Sequence, residues 1–153
     1  MTDKYLKDAE KGDPKARYEL ATLYAKGEGV ARDGGKAAEW LREAAELGHP
    51  ESQTFLGTLH LFGDGVEKNH ARTVELYEKA AGAGYVPAQY NLGVFYRELR
   101  GEADYEKAAA WLRKAAERGN AEAAHALGCL FSAGEGVRRD FAEASKWYAK
   151  AAK

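Results

Sequence analysis

At 153 residues, 45% of them hydrophobic and 31% charged, the chain is long enough for one packed domain and too apolar to stay disordered. Lys and Arg total 23 against 24 Asp and Glu, a net charge of −1, so no sign bias points to nucleic acid or an anionic membrane. One cysteine excludes an internal disulfide and a four-cysteine zinc site, and no apolar run approaches the roughly 18 residues of a membrane span.

The N-terminal segment MTDKYLKDAEKGD carries no apolar signal core. With the lone cysteine, that leans the expected location towards the cytoplasm. A periplasmic or secreted location stays open if a leader was removed. Residues 3–12 read as the end of a second-type helix, with Tyr5 standing where Leu41 stands later, Ala9 for Ala45 and Gly12 for Gly48.

A first helix is expected from about Pro14 to Lys26. Asp13 is its natural N-cap, Pro14 suits its first turn and Gly27 stops it. Ala16, Leu20, Leu23 and Tyr24 share one face. A second helix is expected from about Gly35 to Leu47, with Ala37, Trp40, Leu41, Ala44 and Ala45 on one stripe and Gly48 as its stop. Neither helix can bury its face alone.

The pattern then repeats. Leu20-Ala21, Leu56-Gly57, Leu92-Gly93 and Leu127-Gly128 recur at spacings of 36, 36 and 35 residues. Each is followed by Tyr24, His60, Tyr96 or Phe131, then by a loop: Gly27-Glu28-Gly29-Val30, Gly63-Asp64-Gly65-Val66 and Gly134-Glu135-Gly136-Val137. The third loop, Leu99-Arg100-Gly101-Glu102, is one residue shorter. Downstream come Trp40-Leu41, Leu76-Tyr77, Trp111-Leu112 and Trp147-Tyr148, each ahead of an Ala-Ala pair. Small residues at Ala21, Gly57, Gly93 and Gly128 are expected where paired helices approach closely.

The fold class implied is all-α: one solenoid domain over residues 1–153, built of an N-terminal half-repeat (1–12) and four helix-turn-helix repeats (13–48, 49–84, 85–119, 120–153). Solenoids normally need capped ends. Here the last helix is followed by no polar closing helix, so Phe141, Ala144, Trp147, Tyr148 and Ala151 are expected to leave apolar surface. Self-association through that end, or a longer parent chain, would follow.

The run Leu-Gly-x-x-Tyr-x-x-Gly-x-Gly-Val, then Ala-x-x-Trp-Tyr-x-Lys-Ala-Ala, resembles the Sel-like repeat (SLR) family, relatives of the tetratricopeptide repeat (TPR). The likeness covers residues 13–152, and Leu56-Gly57 with Gly63-Asp64-Gly65-Val66, and Trp147 to Ala152, stand close to the family pattern. The resemblance implies a right-handed superhelix and a scaffold or adaptor role in protein binding, often in bacteria. It also implies that the first helix of each pair lines the concave side. His60 for the usual aromatic, Leu76 for tryptophan and the shortened third loop depart from the pattern. A branch with paired cysteines that binds penicillin-like ligands does not match a chain whose sole cysteine is Cys129.

Periodicity divides each first helix into a core face and a second stripe. The stripe carries Tyr18, Thr22, Ala25 and Lys26; then Thr54, Thr58, Leu61 and Phe62; then Tyr90, Val94, Arg97 and Glu98; then His125, Cys129, Ser132 and Ala133. This mixture of aromatic, aliphatic and polar groups suits an interface centre. Adjacent Leu61 and Phe62 cannot both face their own helix's core. The competing reading packs Phe62 under a loop and makes Tyr18 and Tyr90 ordinary contacts between repeats. Arg17, Glu39, Arg42, Glu43 and their counterparts read as a solvated outer face.

Candidate chemistry is sparse. Gly27-Glu28-Gly29-Val30 is no phosphate loop, because Gly34 is followed by Gly35, Lys36 and Ala37, which displaces the lysine and removes the hydroxyl. His125 and Cys129 lie at i and i+4 and could share a metal ion or form a thiol–imidazole pair, but no third ligand is evident. His49, His60 and His70 are dispersed, and His60 is expected to be a hydrogen-bonded substitute for tyrosine. Reading RNA with helical repeats needs a basic groove, which Lys26 and Arg97 against Glu98 do not make. The expectation is a non-catalytic scaffold for a peptide or protein ligand, with no cofactor, metal or nucleic acid. The alternatives are a structural spacer or self-associating segment, and activity at His125/Cys129.

Overall fold

The computed structural model describes residues 2–99 and 103–153, so the shortened third loop at residues 100–102 lies outside it. Among the described residues the structure is all α, with no strand. The helices are α1 (Thr2–Glu10), α2 (Pro14–Lys26), α3 (Gly34–Glu46), α4 (Pro50–Phe62), α5 (His70–Gly82), α6 (Val86–Glu98), α7 (Tyr105–Glu117), α8 (Ala121–Ala133) and α9 (Phe141–Ala151). They group into two compact units, Met1–Ala83 and Gly84–Lys153.

The caps explain the boundaries. Asp13 accepts from the amides of Lys15 and Ala16, Pro14 occupies the first turn, and Gly27 ends α2 in the left-handed region at φ 74° with its amide donating to the Leu23 carbonyl. The second helix begins at Gly34, one residue before the expected Gly35, because Asp33 caps the Lys36 amide. Asn69, Asp104 and Asp140 cap α5, α7 and α9 in the same way.

Every hairpin closes with the same bond. The cap residue's amide donates to the carbonyl of the aromatic-position residue: Asp33 to Tyr24 (2.9 Å), Asn69 to His60 (2.9 Å), Asp104 to Tyr96 (3.0 Å) and Asp140 to Phe131 (3.0 Å). The third hairpin keeps this bond despite its shorter loop. His60 is tied down as well, its Nδ1 3.0 Å from the Glu67 carbonyl oxygen. The second loop presses onto the start of α3: a Cβ on Gly65 would lie 2.2 Å from the Gly34 carbonyl carbon, so only glycine fits.

In the first unit, α1 covers α2 by packing Ala9 against Ala16 and Leu20, with Tyr5 and Leu6 alongside. Leu41 and Ala45 of α3 then meet Leu56 and Leu59 of α4 in one core cluster. Burying a leucine of this size stabilises by roughly 1.5–3 kcal/mol, so this succession of interfaces holds the unit together.

Two side chains clamp the interfaces at their polar ends. Arg17 Nε donates to the Ala9 carbonyl (3.0 Å), and Gln53 Nε2 donates to the Ala45 carbonyl (3.1 Å), one repeat later. Arg17 therefore leaves the outer face to which its spacing assigned it: its guanidinium also pairs with Glu43 at 3.2 Å and is only 15% exposed.

In the second unit, α7 lies between α6 and α8, and α9 packs on α8. Ala144 and Trp147 are buried at 2% and 8% exposure, so the expected apolar end is smaller than the pattern suggested. The Arg113 guanidinium explains part of this, sitting 5.6 Å from the Phe131 ring centroid and 5.8 Å from that of Trp147. Phe141 does stay 64% exposed, with the Arg139 guanidinium 4.9 Å from its ring centroid.

Candidate functional site

The close helix approach that builds each stripe depends on the Leu-Gly step. A Cβ on Gly57 would lie 2.8 Å from the Tyr77 ring, one on Gly93 2.6 Å from Leu112, and one on Gly128 2.7 Å from the Tyr148 ring. The tyrosines that fill these gaps reach through to the stripe. Tyr77 and Thr58 hydroxyls share a 2.7 Å hydrogen bond, and in the equivalent place Tyr148 donates to Cys129 Sγ at 3.4 Å. Burial raises the Tyr77 phenol above its usual range. Tyr148 is raised chiefly by its hydrogen bond with Cys129.

In the first unit the stripe is partly engaged in packing. Tyr18 is half-buried, its ring centroid 5.6 Å from that of His49 and 6.2 Å from that of Phe55. Burial pushes the Tyr18 phenol up, and the carboxylates of Glu19 and Glu51 push it further. Thr22 donates to the Tyr18 carbonyl at 3.0 Å, and Lys26 is exposed. Thr54 is buried at 8% exposure with its hydroxyl donating to the Pro50 carbonyl at 2.8 Å, and it presents no surface. Leu61 is half-buried. Phe62 is 73% exposed.

In the second unit the stripe opens onto a cleft of about 500 Å³ lined by Tyr90, Arg97, Ala121, Glu122, His125, Ala126, Tyr148, Ala151 and Ala152. Tyr90, Arg97 and His125 were legible in the sequence as stripe residues. The α9 residues Tyr148, Ala151 and Ala152 were read as core or end surface, because a periodicity argument treats each helix by itself. Arg97 pairs with Glu98 at 2.9 Å, Val94 is half-buried, and His125 is exposed with its ring centroid 5.4 Å from that of Tyr148.

His125 Nδ1 lies 4.0 Å from Cys129 Sγ, a contact too long for a strong hydrogen bond. Cys129 is already the acceptor of the Tyr148 hydroxyl. Among the described residues no group of three His, Cys, Asp or Glu side chains could hold a metal ion. Nor is any helix among them long and apolar enough to cross a membrane.

The geometry agrees with what known proteins show. The model of the Sel1 repeat matches residues 14–49, 50–85, 86–120 and 121–153, each set beginning one residue after the boundary expected from the glycine stops. A protective antigen of uropathogenic Escherichia coli with an SLR fold superposes with a TM-score of 0.95 at 37% identity, over 99% of this chain and 33% of that one. A Sel1 repeat protein from Oxalobacter formigenes superposes with a TM-score of 0.86 at 36% identity, over 99% of this chain and 44% of that one. An immunity protein from Pseudomonas aeruginosa is similar at 27% identity and a TM-score of 0.58, over 99% and 72% of the two chains. No curated relative matches the sequence. The chain thus spans between a third and half of the first two relatives. With four matched repeats covering nearly every residue, the chain belongs to the Sel1-repeat family.

Proposed function

We propose that the chain is a non-catalytic scaffold that binds a peptide or protein along the stripes of its first-type helices. Sel1-repeat proteins are generally protein-interaction modules. The observation that carries the reading is Phe62. On α4, Leu56 and Leu59 are at most 5% exposed, yet Phe62 is held 73% open at the helix end beside Leu61. A large ring kept in water on a rigid helix is the kind of anchor around which interfaces concentrate their binding energy. Tyr90, Val94 and the Arg97–Glu98 pair offer the same mixture on α6, with Tyr18, Thr22 and Lys26 on α2 and His125 and Cys129 on α8 completing the set.

Rigid helices favour binding because little side-chain and backbone freedom remains to be lost. Selection of peptides from a random display library on the immobilised chain tests the reading. Alanine at Phe62 or Tyr90 is expected to weaken the selected peptides by about 1–3 kcal/mol. Alanine at Glu39 or Glu117, both on the exposed face of second-type helices, is expected to leave them unchanged. Equal losses at both pairs would place the binding surface elsewhere.

A further inference from the structure

We infer that His49 is a proton-sensitive latch: as the neutral imidazole it fastens the N-terminus of α4, and on gaining a proton it releases it. The first-type helices differ at this position. Asp13 and Asn120 cap α2 and α8 with oxygen acceptors, and Tyr85 gives α6 no side-chain cap. The cap of α4 is a ring nitrogen, His49 Nδ1, which accepts from the Ser52 amide at 3.3 Å and lies 2.7 Å from Ser52 Oγ. An amide can only donate, so Nδ1 keeps its lone pair and the ring proton sits on Nε2, 3.2 Å from Glu51 Oε2.

Acid, imidazole and hydroxyl in this order resemble a hydrolase triad, but Ser52 is 0% exposed and its oxygen meets no substrate. The arrangement is a cap. The Ser52 amide stands in the first turn, where the helix offers it no carbonyl, and the hydroxyl has the same Nδ1 as its partner. A proton on Nδ1 turns the acceptor into a donor, so both Ser52 hydrogens lose the lone pair they share. Burial denies them water, and unpaired buried donors are costly. The carboxylate does not make up this loss. Glu51 already accepts from Nε2–H of the neutral ring, so the proton adds only attraction across a pair whose acid is 40% exposed. The positive end of the helix opposes the added charge.

Three helices bring titratable or charged groups towards the ring. From α4 comes Glu51. From α2 comes Tyr18, its ring centroid 5.6 Å away, with Glu19 near enough to act on that phenol. On α3, Glu43 is engaged by Arg17 of α2, and among the described residues no ion pair joins Glu46 to the imidazole. The cap is therefore complete above the histidine range, about pH 6.5, and is lost as pH falls through it. Tyr18 belongs to the stripe and packs on the same ring, so the proton that opens the cap also loosens one stripe residue. The latch itself does not depend on what the stripe binds.

The test uses the isotopically labelled 153-residue chain and follows the imidazole nitrogens and the amides by NMR between about pH 7.5 and pH 5.5. At the upper pH, His49 Nδ1 is expected to resonate as a bare nitrogen and Nε2 as a protonated one. On acidification the protection of the Ser52 amide from exchange, corrected for the intrinsic rate, should fall about fivefold, the factor of a lost N-cap. His49→Asn supplies an acceptor that does not titrate, as Asn120 does for α8. In that variant the Ser52 protection should hold, and the urea midpoint should fall less on acidification than in the parent chain. The other histidines titrate in both chains and cancel in the difference. A proton on Nδ1 at pH 7.5 overturns the inference, as does a Ser52 protection that ignores pH in the parent chain. An equal acid response in His49→Asn overturns it too.

Discussion

Gly57 and Tyr77 are in such close register that a single added methyl on the glycine would lie 2.8 Å from the phenol ring. Tyr77 is 2% exposed and wedged between its own helix and α4, so the ring has no room to retreat. Gly57→Ala is therefore expected to destabilise by about 1–3 kcal/mol, the overpacking cost exceeding the ~1 kcal/mol of helix propensity that alanine brings. Gly128→Ala should cost less, because Tyr148 is only half-buried and its ring can give way towards the cleft. Gly82, where an added Cβ meets nothing within 4 Å, is the opposing case: Gly82→Ala should stabilise by about 0.4–1 kcal/mol. Urea denaturation midpoints compare the three, and a stabilised Gly57→Ala would refute the wedge.

Arg17 ties α1 to the rest of the first unit through its bond to the Ala9 carbonyl and its ion pair with Glu43. Arg17→Ala removes a charge-assisted bond worth about 1.5–3 kcal/mol. Because α1 is short, the loss should appear as local opening. Amide exchange of Ala9 and its neighbours is expected to accelerate well beyond that of α4. Arg17→Lys should rescue little, since the bond comes from the Nε of the planar fork.

The buried Tyr77 phenol holds its proton more tightly in the folded chain than when unfolded, because burial penalises the phenolate. Its folded pKa is raised, so its contribution is fully present below the unfolded value of about 10 and is lost as pH climbs through the folded value. Stability is thus expected to fall on the alkaline side, above about pH 10. Tyr77→Phe should flatten that slope while costing about 0.5–1.5 kcal/mol at neutral pH for the lost bond with Thr58. Chemical denaturation at pH 7 and at pH 11 checks both signs. An unaltered slope would mean that Tyr77 is not the titrating group.

Phe62 is expected to be dispensable for folding. With 73% of its surface in water, Phe62→Ala should change the unfolding free energy by no more than about 0.5 kcal/mol. A loss above 2 kcal/mol would show that the ring supports the fold and would remove the argument for it as an anchor.

The repeat itself was plain in the sequence, because short-range chemistry writes it. Asp13-Pro14 opens a helix and Gly27 closes one by local backbone preferences, and the period of apolar residues marks each core face. His60 as a bonded substitute and the small residues at 21, 57, 93 and 128 were legible for the same reason. Arg17 was not, since its partner carbonyl belongs to another helix and nothing in the spacing of charges reports an inter-helix bond. Thr54 was misjudged likewise: a threonine on a polar stripe looks exposed until the packing around it is known.

The cleft shows the division most clearly. Tyr90, Arg97 and His125 could be placed on stripes from the sequence, but Tyr148, Ala151 and Ala152 match residues that are fully covered one or more repeats earlier. Periodicity assigns a residue to a face of its own helix. Whether another helix covers that face is a matter of tertiary neighbours, and among the described residues Tyr148, Ala151 and Ala152 line a cleft.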